Sequence, residues 1–442
     1  MNRKLLFATI VSALGSFLFG FDTAVISGTT RFLETCFALT PLSLGWTVSI
    51  ALWGTVLGSL AVGKPGDAYG RKAMLSGCGL LYLFSALACA FAGSWALLLA
   101  GRFVGGVAIG AASVMAPMYI AEIAPAAWRG RLVAVAQFNI VAGILVAFFS
   151  NYVLVSHFGE NNWRWMFGVM AIPAALFFLL LFLVPESPRW LVKRGRVDES
   201  REVLRSVGAA DVEGELGAIV ESLRTDAGAG AVPLFQKKYR FAVMCAVLLA
   251  VFNQLSGINV IMYYAPMIFQ KAGASTDASM LQAVAVGVTN LVFTVIAMAF
   301  IDRLGRKTLL LIGAVGMAVS LAGAGMYYLA PGLMSSAGIV LFIMGFIAFF
   351  AFSQGAVIWV FLAEIFPNKV RAKGQALGSF THWIMNALIG LAFPVVLARV
   401  GGGPIFLFFA IMMAPFFFFV WRMMPETKGR SLEELERIIV RE

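Results

Sequence analysis

Charged residues are scarce in this chain: they make up 12% of its 442 residues, while hydrophobic residues make up 61%. A water-soluble protein of this length needs far more charge to cover its surface, so a soluble globular fold is excluded. The chain also has only two histidines and no HExxH motif. Its four cysteines (Cys36, Cys78, Cys89 and Cys245) show neither paired nor metal-ligand spacing. These absences disfavour a disulfide scaffold and a metal-dependent membrane enzyme.

Long apolar runs fill the sequence instead, and each is about 20 residues long, the length that crosses a bilayer as a helix. Continuous runs of this kind exclude a β-barrel, whose strands are short and alternating. The sequence therefore predicts an all-α membrane protein with twelve transmembrane helices. Their approximate cores are 5–28, 44–63, 73–93, 96–120, 132–155, 165–184, 240–268, 279–301, 308–330, 337–362, 375–398 and 404–424. The first run is too long for a secretory signal, so it counts as a span.

Basic residues are distributed asymmetrically around these runs. All but five of the 33 Lys and Arg residues fall on one side of the predicted membrane, four fall on the other side, and Arg102 lies within a span. This is the positive-inside pattern, and it predicts that both termini and the central loop are cytoplasmic. The net charge of +11 therefore reflects topology and does not indicate a nucleic-acid partner.

Three motifs occur once in each half of the chain, in the same order. GDAYGRK at 66–72 matches IDRLGRK at 301–307, Ala-Glu-Ile-x-Pro at 121–125 matches 363–367, and PESPR from Pro185 matches PETKG from Pro425. An internal repeat of this kind predicts two parallel six-helix bundles with a site between them. The predicted domains are an N-terminal bundle (1–188), a helical cytoplasmic linker (189–239), a C-terminal bundle (240–424) and a cytoplasmic tail (425–442).

These motifs, together with FGFDTAVISG in the first span and NQLSGINVIMYYAP in the seventh, resemble the sugar porter family of the major facilitator superfamily. The resemblance covers essentially the whole chain. It implies the major facilitator fold, alternating access, a monosaccharide as substrate and no cofactor other than a coupling proton. The family includes bacterial xylose–proton and hexose–proton symporters and facilitative glucose transporters. We expect a monomer in the cell (inner or plasma) membrane.

Two charges lie within the predicted spans, Asp22 in the first and Arg102 in the fourth. Isolated charges there cost at least about 2.5 to 3.5 kcal/mol each, so a pair is expected. The pair could be purely structural, or the carboxyl could gain and lose a proton. Proton-coupled members of the family carry Asp at this position, which favours symport. Some also carry an acidic residue in the sixth span, where this chain has Met170.

A sugar site needs amides that donate and accept hydrogen bonds, together with aromatic planes for the C–H faces. The resemblance places sugar contacts at nine residues: Gln137, Asn253, Gln254, Asn259, Asn290, Trp359, His382, Trp383 and Asn386. It places aromatic residues that close over the sugar at Phe19, Tyr263 and Tyr264. Helix-to-helix bonding and aromatic packing are competing roles for these side chains.

The chain departs from the family at several of these positions. Asn253 stands where the family commonly has Gln, and His382 stands where it has Gln or Asn. The prolines common before Trp359 are absent, with Ala356 and Ile358 in their places. Hexose, pentose and cyclitol therefore stay open, as does the hinge of that span.

The family resemblance also implies charge networks that latch the cytoplasmic ends together. Their members are Asp67, Arg71, Glu122, Arg129 and Glu186 in one half, and Asp302, Arg306, Glu364, Arg371 and Glu426 in the other. Solvated loop charge is the alternative.

Two other functions stay open at this point. A facilitative uniporter would share every feature except the need for Asp22. A non-transporting sugar receptor is disfavoured, because such receptors usually have a long cytoplasmic signalling tail and we expect only a short one here, at 425–442.

Overall fold

The computed structural model describes residues 2–125, 128–228, 232–330, 332, 336–367, 369–429 and 434–435. Within these residues the chain forms nineteen α-helices and no strand. The first eleven are α1 Arg3–Cys36, α2 Pro41–Ala61, α3 Gly63–Tyr69, α4 Arg71–Ala90, α5 Trp95–Ile123, α6 Arg129–Leu154, α7 Asn162–Gly168, α8 Ala171–Leu180, α9 Pro188–Lys193, α10 Val197–Val207 and α11 Val212–Gly228. The others are α12 Arg240–Leu255, α13 Ile258–Lys271, α14 Thr276–Leu304, α15 Arg306–Leu329, α16 Ser336–Phe352, α17 Gln354–Glu364, α18 Arg371–Val400 and α19 Gly402–Arg422.

Twelve helical segments in the described part of the chain are long and apolar enough to cross a membrane. The predicted all-α fold with twelve spans is thereby confirmed. Three of the spans are interrupted helices. Span six is α7 followed by α8, span seven is α12 followed by α13, and span ten is α16 followed by α17. Interrupted spans are tolerated where the freed backbone groups are enclosed by protein or line a cavity.

The chain packs as two compact units. Unit 1 comprises Met1–Thr23, Trp53–Ala147 and Arg164–Ala231. Unit 2 comprises Ala24–Leu52, Phe148–Trp163 and Val232–Glu442, so it includes segments of the N-terminal half. The domain boundaries predicted from the repeat follow sequence similarity, whereas these units follow packing. The repeat-based boundaries stay a prediction.

In unit 1, glycines allow α1 and α6 to approach at backbone distance. A Cβ at Gly20 would overlap the carbonyl oxygen of Ile140, and a Cβ at Gly143 would overlap the carbonyl oxygen of Phe17. Small residues at a helix contact let dispersion contacts accumulate where lipid provides no hydrophobic driving force between helices. Asp22 therefore lies on a helix that is packed tightly against α6.

The predicted linker helices are present as α10 and α11. Asp198 and Glu199 occupy the first turn of α10, where they favour the positive end of the helix dipole. Gly208 ends the helix in the left-handed conformation, at φ 84°. Of the predicted cytoplasmic tail (425–442), the structure describes residues 425–429 and 434–435.

We predict that Gly143→Ala lowers the free energy of unfolding by about 1 to 3 kcal/mol, because its methyl group forces α1 and α6 apart. Gly77→Ala is the matched control, since a Cβ there meets nothing within 4 Å. Thermal unfolding of both variants in detergent measures the difference. Equal stability of the two variants would contradict this account of the α1–α6 contact.

Candidate functional site

An ion pair lies buried inside unit 1. Arg102 Nη1 of α5 donates to Asp22 Oδ1 of α1 over 2.6 Å. Both residues are almost completely buried, with 1% of Asp22 and 2% of Arg102 exposed. The predicted proximity of the two charges is thus present in the structure. Because neither charge is tolerated alone at this depth, each side chain determines the state of the other.

The pair is only partly satisfied by the protein. Asp22 Oδ2 and Arg102 Nε are buried and have no hydrogen-bond partner among the described residues. A carboxylate with one oxygen committed to a cation and one oxygen unbonded has room for a proton. Asp22 Oδ2 is therefore the carboxyl oxygen that is open to a proton.

A second polar cluster lies in unit 2 and is centred on Gln254 at the end of α12. Its Oε1 accepts from Asn259 Nδ2 over 2.8 Å, and its Nε2 donates to Asn253 Oδ1 over 3.1 Å. The same Nε2 lies 3.2 Å from each ring nitrogen of His382 in α18. Four of the nine predicted sugar-contact residues are therefore brought together around one amide.

The break in span seven makes this cluster possible. Between α12 and α13, Gly257 adopts φ 83°, a left-handed conformation that favours glycine. A Cβ at this position would also overlap the ring of Phe409. The turn brings Asn259, five residues along the chain, back to Gln254. A second irregularity follows at Tyr264, whose φ of −128° and ψ of 15° lie outside the helical range, two residues before Pro266.

Aromatic rings surround the histidine of this cluster. The ring centroids of Trp359 and His382 are 5.0 Å apart, and those of His382 and Trp383 are 5.2 Å apart in an edge-on arrangement. Trp359 is 37% exposed, whereas Trp383 is 5% exposed. Trp359 thus presents a partly open aromatic surface beside hydrogen-bonding groups, which is the combination a sugar ring needs.

The two tyrosines of span seven connect α13 to α18. Asn386 Nδ2 donates to the hydroxyl oxygen of Tyr263 over 2.9 Å. The hydroxyl of Tyr264 donates to the carbonyl oxygen of Gly390 over 2.9 Å. Both tyrosines therefore make hydrogen bonds between helices. The gating role predicted for them stays a prediction.

Three other predicted residues lie on helices that contribute nothing to the hydrogen bonds around Gln254 described above. Asn290 is buried in α14 of unit 2. Gln137 of α6 and Phe19 of α1 are half-buried and belong to unit 1. Their contribution to a sugar site stays a prediction.

Sequence reasoning missed Gln354, the first residue of α17. Its side chain is fully buried, and neither its Nε2 nor its Oε1 has a partner among the described residues. It follows Ser353, whose φ of −119° and ψ of −90° break span ten. The break is thus present without the prolines common in the family. An amide in an otherwise apolar stretch was the signal that could have drawn attention to this residue.

The motifs shared by the two repeats form a charge cluster in each unit. The cluster in unit 1 is centred on Arg71. Its guanidinium donates to both carboxylate oxygens of Glu122, at 3.0 to 3.2 Å, and to Asp67 Oδ1 over 3.0 Å. Glu186 accepts from the backbone N–H groups of Arg71, Lys72 and Ser187. Burial raises the pKa of Glu186 above its ordinary value, although these N–H groups and the charge of Arg71 favour its ionised form.

The cluster in unit 2 repeats the same geometry around Arg306. Its guanidinium donates to Glu364 Oε1 over 2.8 Å, to Glu364 Oε2 over 3.2 Å and to Asp302 Oδ1 over 2.9 Å. Glu426 accepts from the backbone N–H groups of Arg306 and Lys307, over 3.0 Å each. The matched charges of the repeat are thus organised within each unit.

The two remaining members of the predicted networks differ. Arg371 Nε donates to the carbonyl oxygen of Phe366 over 3.2 Å. The side chain of Arg129 lies outside the described part of the structure. The predicted latching of the cytoplasmic ends stays a prediction.

Twelve apolar spans, an intramembrane ion pair and a polar cluster at an interrupted helix define a multi-pass membrane transporter as the class of this protein. Comparison with known proteins gives the family. The model of the family described as "Sugar (and other) transporter" matches residues 8–439, and the chain belongs to this family.

Individual relatives match over nearly their full length. The D-xylose-proton symporter of Escherichia coli (strain K12) is 37% identical, covering 99% of this chain and 96% of the relative. The arabinose-proton symporter of Bacillus subtilis (strain 168) is 36% identical, covering 97% and 94%. Among solved structures, a partially occluded inward-open form of the E. coli xylose transporter matches with a TM-score of 0.87 and 34% identity, covering 97% of this chain and all of that chain.

We predict that Arg306→Lys lowers the thermal unfolding midpoint in detergent, because an ammonium cannot span both Glu364 oxygens and Asp302 as the guanidinium fork does. The free energy of unfolding should fall by about 1 to 3 kcal/mol. Arg303→Lys, at an exposed neighbouring position, should leave the midpoint unchanged. A midpoint for Arg306→Lys that equals that of the control would show that the cluster is solvated loop charge.

Proposed function

We propose that this protein is a proton-coupled monosaccharide symporter that imports its sugar by alternating access. The observation that carries the proposal is the buried pair of Asp22 and Arg102, at 2.6 Å, in a chain of the sugar transporter family. The named relatives include symporters that couple D-xylose or arabinose to protons. The activities named for these relatives support a monosaccharide as substrate and a proton as coupling ion for this chain.

The ion pair supplies a reason for coupling. Ionised Asp22 neutralises Arg102, so the pair is stable while the carboxyl stays deprotonated. Protonation removes the charge from Asp22 and frees α1 from its strongest polar contact with α5. A carrier that turns inward only with both proton and sugar bound, and that returns empty only after losing the proton, carries one charge inward with each sugar. That charge supplies about 2.3 kcal/mol per 100 mV, or about a fifty-fold concentration ratio.

The polar cluster of unit 2 supplies a reason for sugar binding. Asn253 Nδ2 and Asn386 Oδ1 are buried and have no partner among the described residues. One is a donor and the other an acceptor, as sugar hydroxyls require. Trp359, beside His382, offers an aromatic face. We therefore propose that the sugar is bound by the residues around Gln254, Trp383 and Asn386 in unit 2.

The interrupted spans and the charge clusters fit a rocking carrier. Span seven breaks at Gly257, three residues after Gln254, and span ten breaks at Ser353, six residues before Trp359. The proposed sugar ligands therefore lie close to the points where these helices can bend. We propose that the Arg71 and Arg306 clusters stabilise the outward-open state of the carrier and break as it turns inward. The basic excess on their side favours cytoplasmic termini.

The facilitative uniporter is the second candidate, because the sugar cluster alone would serve it equally well. It gives no role to a carboxylate paired with arginine inside a span, and this is why symport is favoured.

Asp22→Asn tests the coupling directly, because it fixes the side chain in an uncharged form of the same shape. We predict that the variant keeps sugar binding and sugar-for-sugar exchange in proteoliposomes. It should lose accumulation against a gradient and the sugar-induced alkalinisation of the medium. Accumulation at the wild-type level in this variant would refute symport and favour the uniporter.

Gln254→Ala and Trp383→Ala test the sugar site. Each should weaken sugar binding by about 1 to 3 kcal/mol, since the first leaves Asn259 and His382 without their shared partner and the second removes an aromatic contact. Calorimetry on the purified variants measures this. Trp421→Ala, at a residue 57% exposed, is the matched control for loss of an indole. Wild-type affinity in either site variant would remove that residue from the site.

A further inference from the structure

The ion pair has an aromatic neighbour in span six. The guanidinium carbon of Arg102 lies 5.6 Å from the centroid of the Phe167 ring. Phe167 belongs to α7 and is 1% exposed, so the ring and the cation meet in a desolvated part of unit 1. A cation in front of an aromatic ring at this distance is attracted by the ring's negative face, most strongly where water is excluded.

The other groups around the ion pair give Arg102 no second anionic partner among the described residues. Asp22 comes from α1, and α4 carries the buried residues Tyr82 and Cys89. The hydroxyl of Tyr82 donates to the carbonyl oxygen of Gly15. Residues 162–183 of span six contain neither Asp nor Glu. The cation of this span, Arg164 in α7, donates from Nη1 to the carbonyl oxygen of Ala90 over 3.0 Å. Asp22 is therefore the one anionic group paired with Arg102 in the part of unit 1 that the structure describes.

Protonation of Asp22 removes that anion and leaves a buried guanidinium. An unpaired buried cation is strongly disfavoured. The ring of Phe167 cannot lose its negative face at any pH, so it continues to stabilise Arg102 in the protonated state. Once the carboxyl no longer holds the guanidinium, Arg102 can settle closer to the ring, so the ring stabilises Arg102 more in the protonated state than in the ionised state and favours proton uptake.

We propose that Phe167 is a positioning residue of the coupling site, acting through Arg102 to determine the pH at which the carrier accepts its proton. This inference rests on the proposed symport. It assigns the electrostatic contribution of span six to an aromatic ring.

Fluorination of the Phe167 ring is the sharpest test, because it weakens the negative face step by step with little change in shape. Mono-, di- and trifluorinated phenylalanine would be introduced at residue 167, and sugar uptake into proteoliposomes measured against external pH. We expect the pH midpoint of uptake to move toward acid with each fluorine, by about half to one pH unit across the series. Phe167→Leu should show the largest acid shift, and Phe167→Tyr should restore the wild-type midpoint.

Phe177 provides the control, since it is a fully buried phenylalanine of the same span that packs against Gly15. Fluorination there should not move the midpoint. An unchanged midpoint across the Phe167 series, or an equal shift in the Phe177 series, would overturn the role of Phe167.

The Asp22→Asn variant, measured in parallel, separates this inference from the proposed function. If that variant still accumulates sugar, symport itself fails. If it loses accumulation as expected and the Phe167 series shows no shift, only the role of Phe167 fails. In an Asp22→Asn background, fluorination of Phe167 should leave the pH dependence of sugar exchange unaltered, and a shift there would count against action through the ion pair.

Discussion

The cost of a charge in hydrocarbon is the constraint on which the rest of this structure depends. Asp22 and Arg102 are both buried in unit 1, and each is tolerated because the other is within hydrogen-bonding distance. A change in the charge of either side chain therefore has a large energetic effect on α1. That helix passes from unit 1 into unit 2 directly after residue 23, so the residue proposed to bind the proton lies on a helix shared by both units.

The span architecture could be predicted from the sequence because a fixed hydrocarbon thickness sets the length of each apolar run. The interruptions were harder to predict. Gly257 and Tyr264 divide span seven, and Ser353 divides span ten without a preceding proline. Backbone breaks of this kind depend on what the neighbouring helices can satisfy, and hydropathy carries no such information. The grouping into units was not predictable either, because packing places residues 24–52 with the C-terminal spans.

Some candidate site residues could be predicted from the sequence, and others could not. Rare side chains in apolar spans were found, and the structure brings Asp22 to Arg102 and Gln254 to Asn259 and His382. Phe167 could not be found from the sequence, because one phenylalanine among 39 has no distinguishing mark until its distance to Arg102 is known. Gln354 was visible as an amide but gained interest only when both ends of its side chain were found without partners among the described residues.

The protonation state of Asp22 during sugar binding is the most direct test of the account. Infrared difference spectra of the reconstituted protein, recorded with and without sugar near neutral pH, report the C=O stretch of a protonated carboxyl group. The account predicts that sugar increases this band in the wild-type protein and that the increase is absent in Asp22→Asn. A carboxylate that stays ionised when sugar binds, in protein that still accumulates sugar, would contradict the central claim.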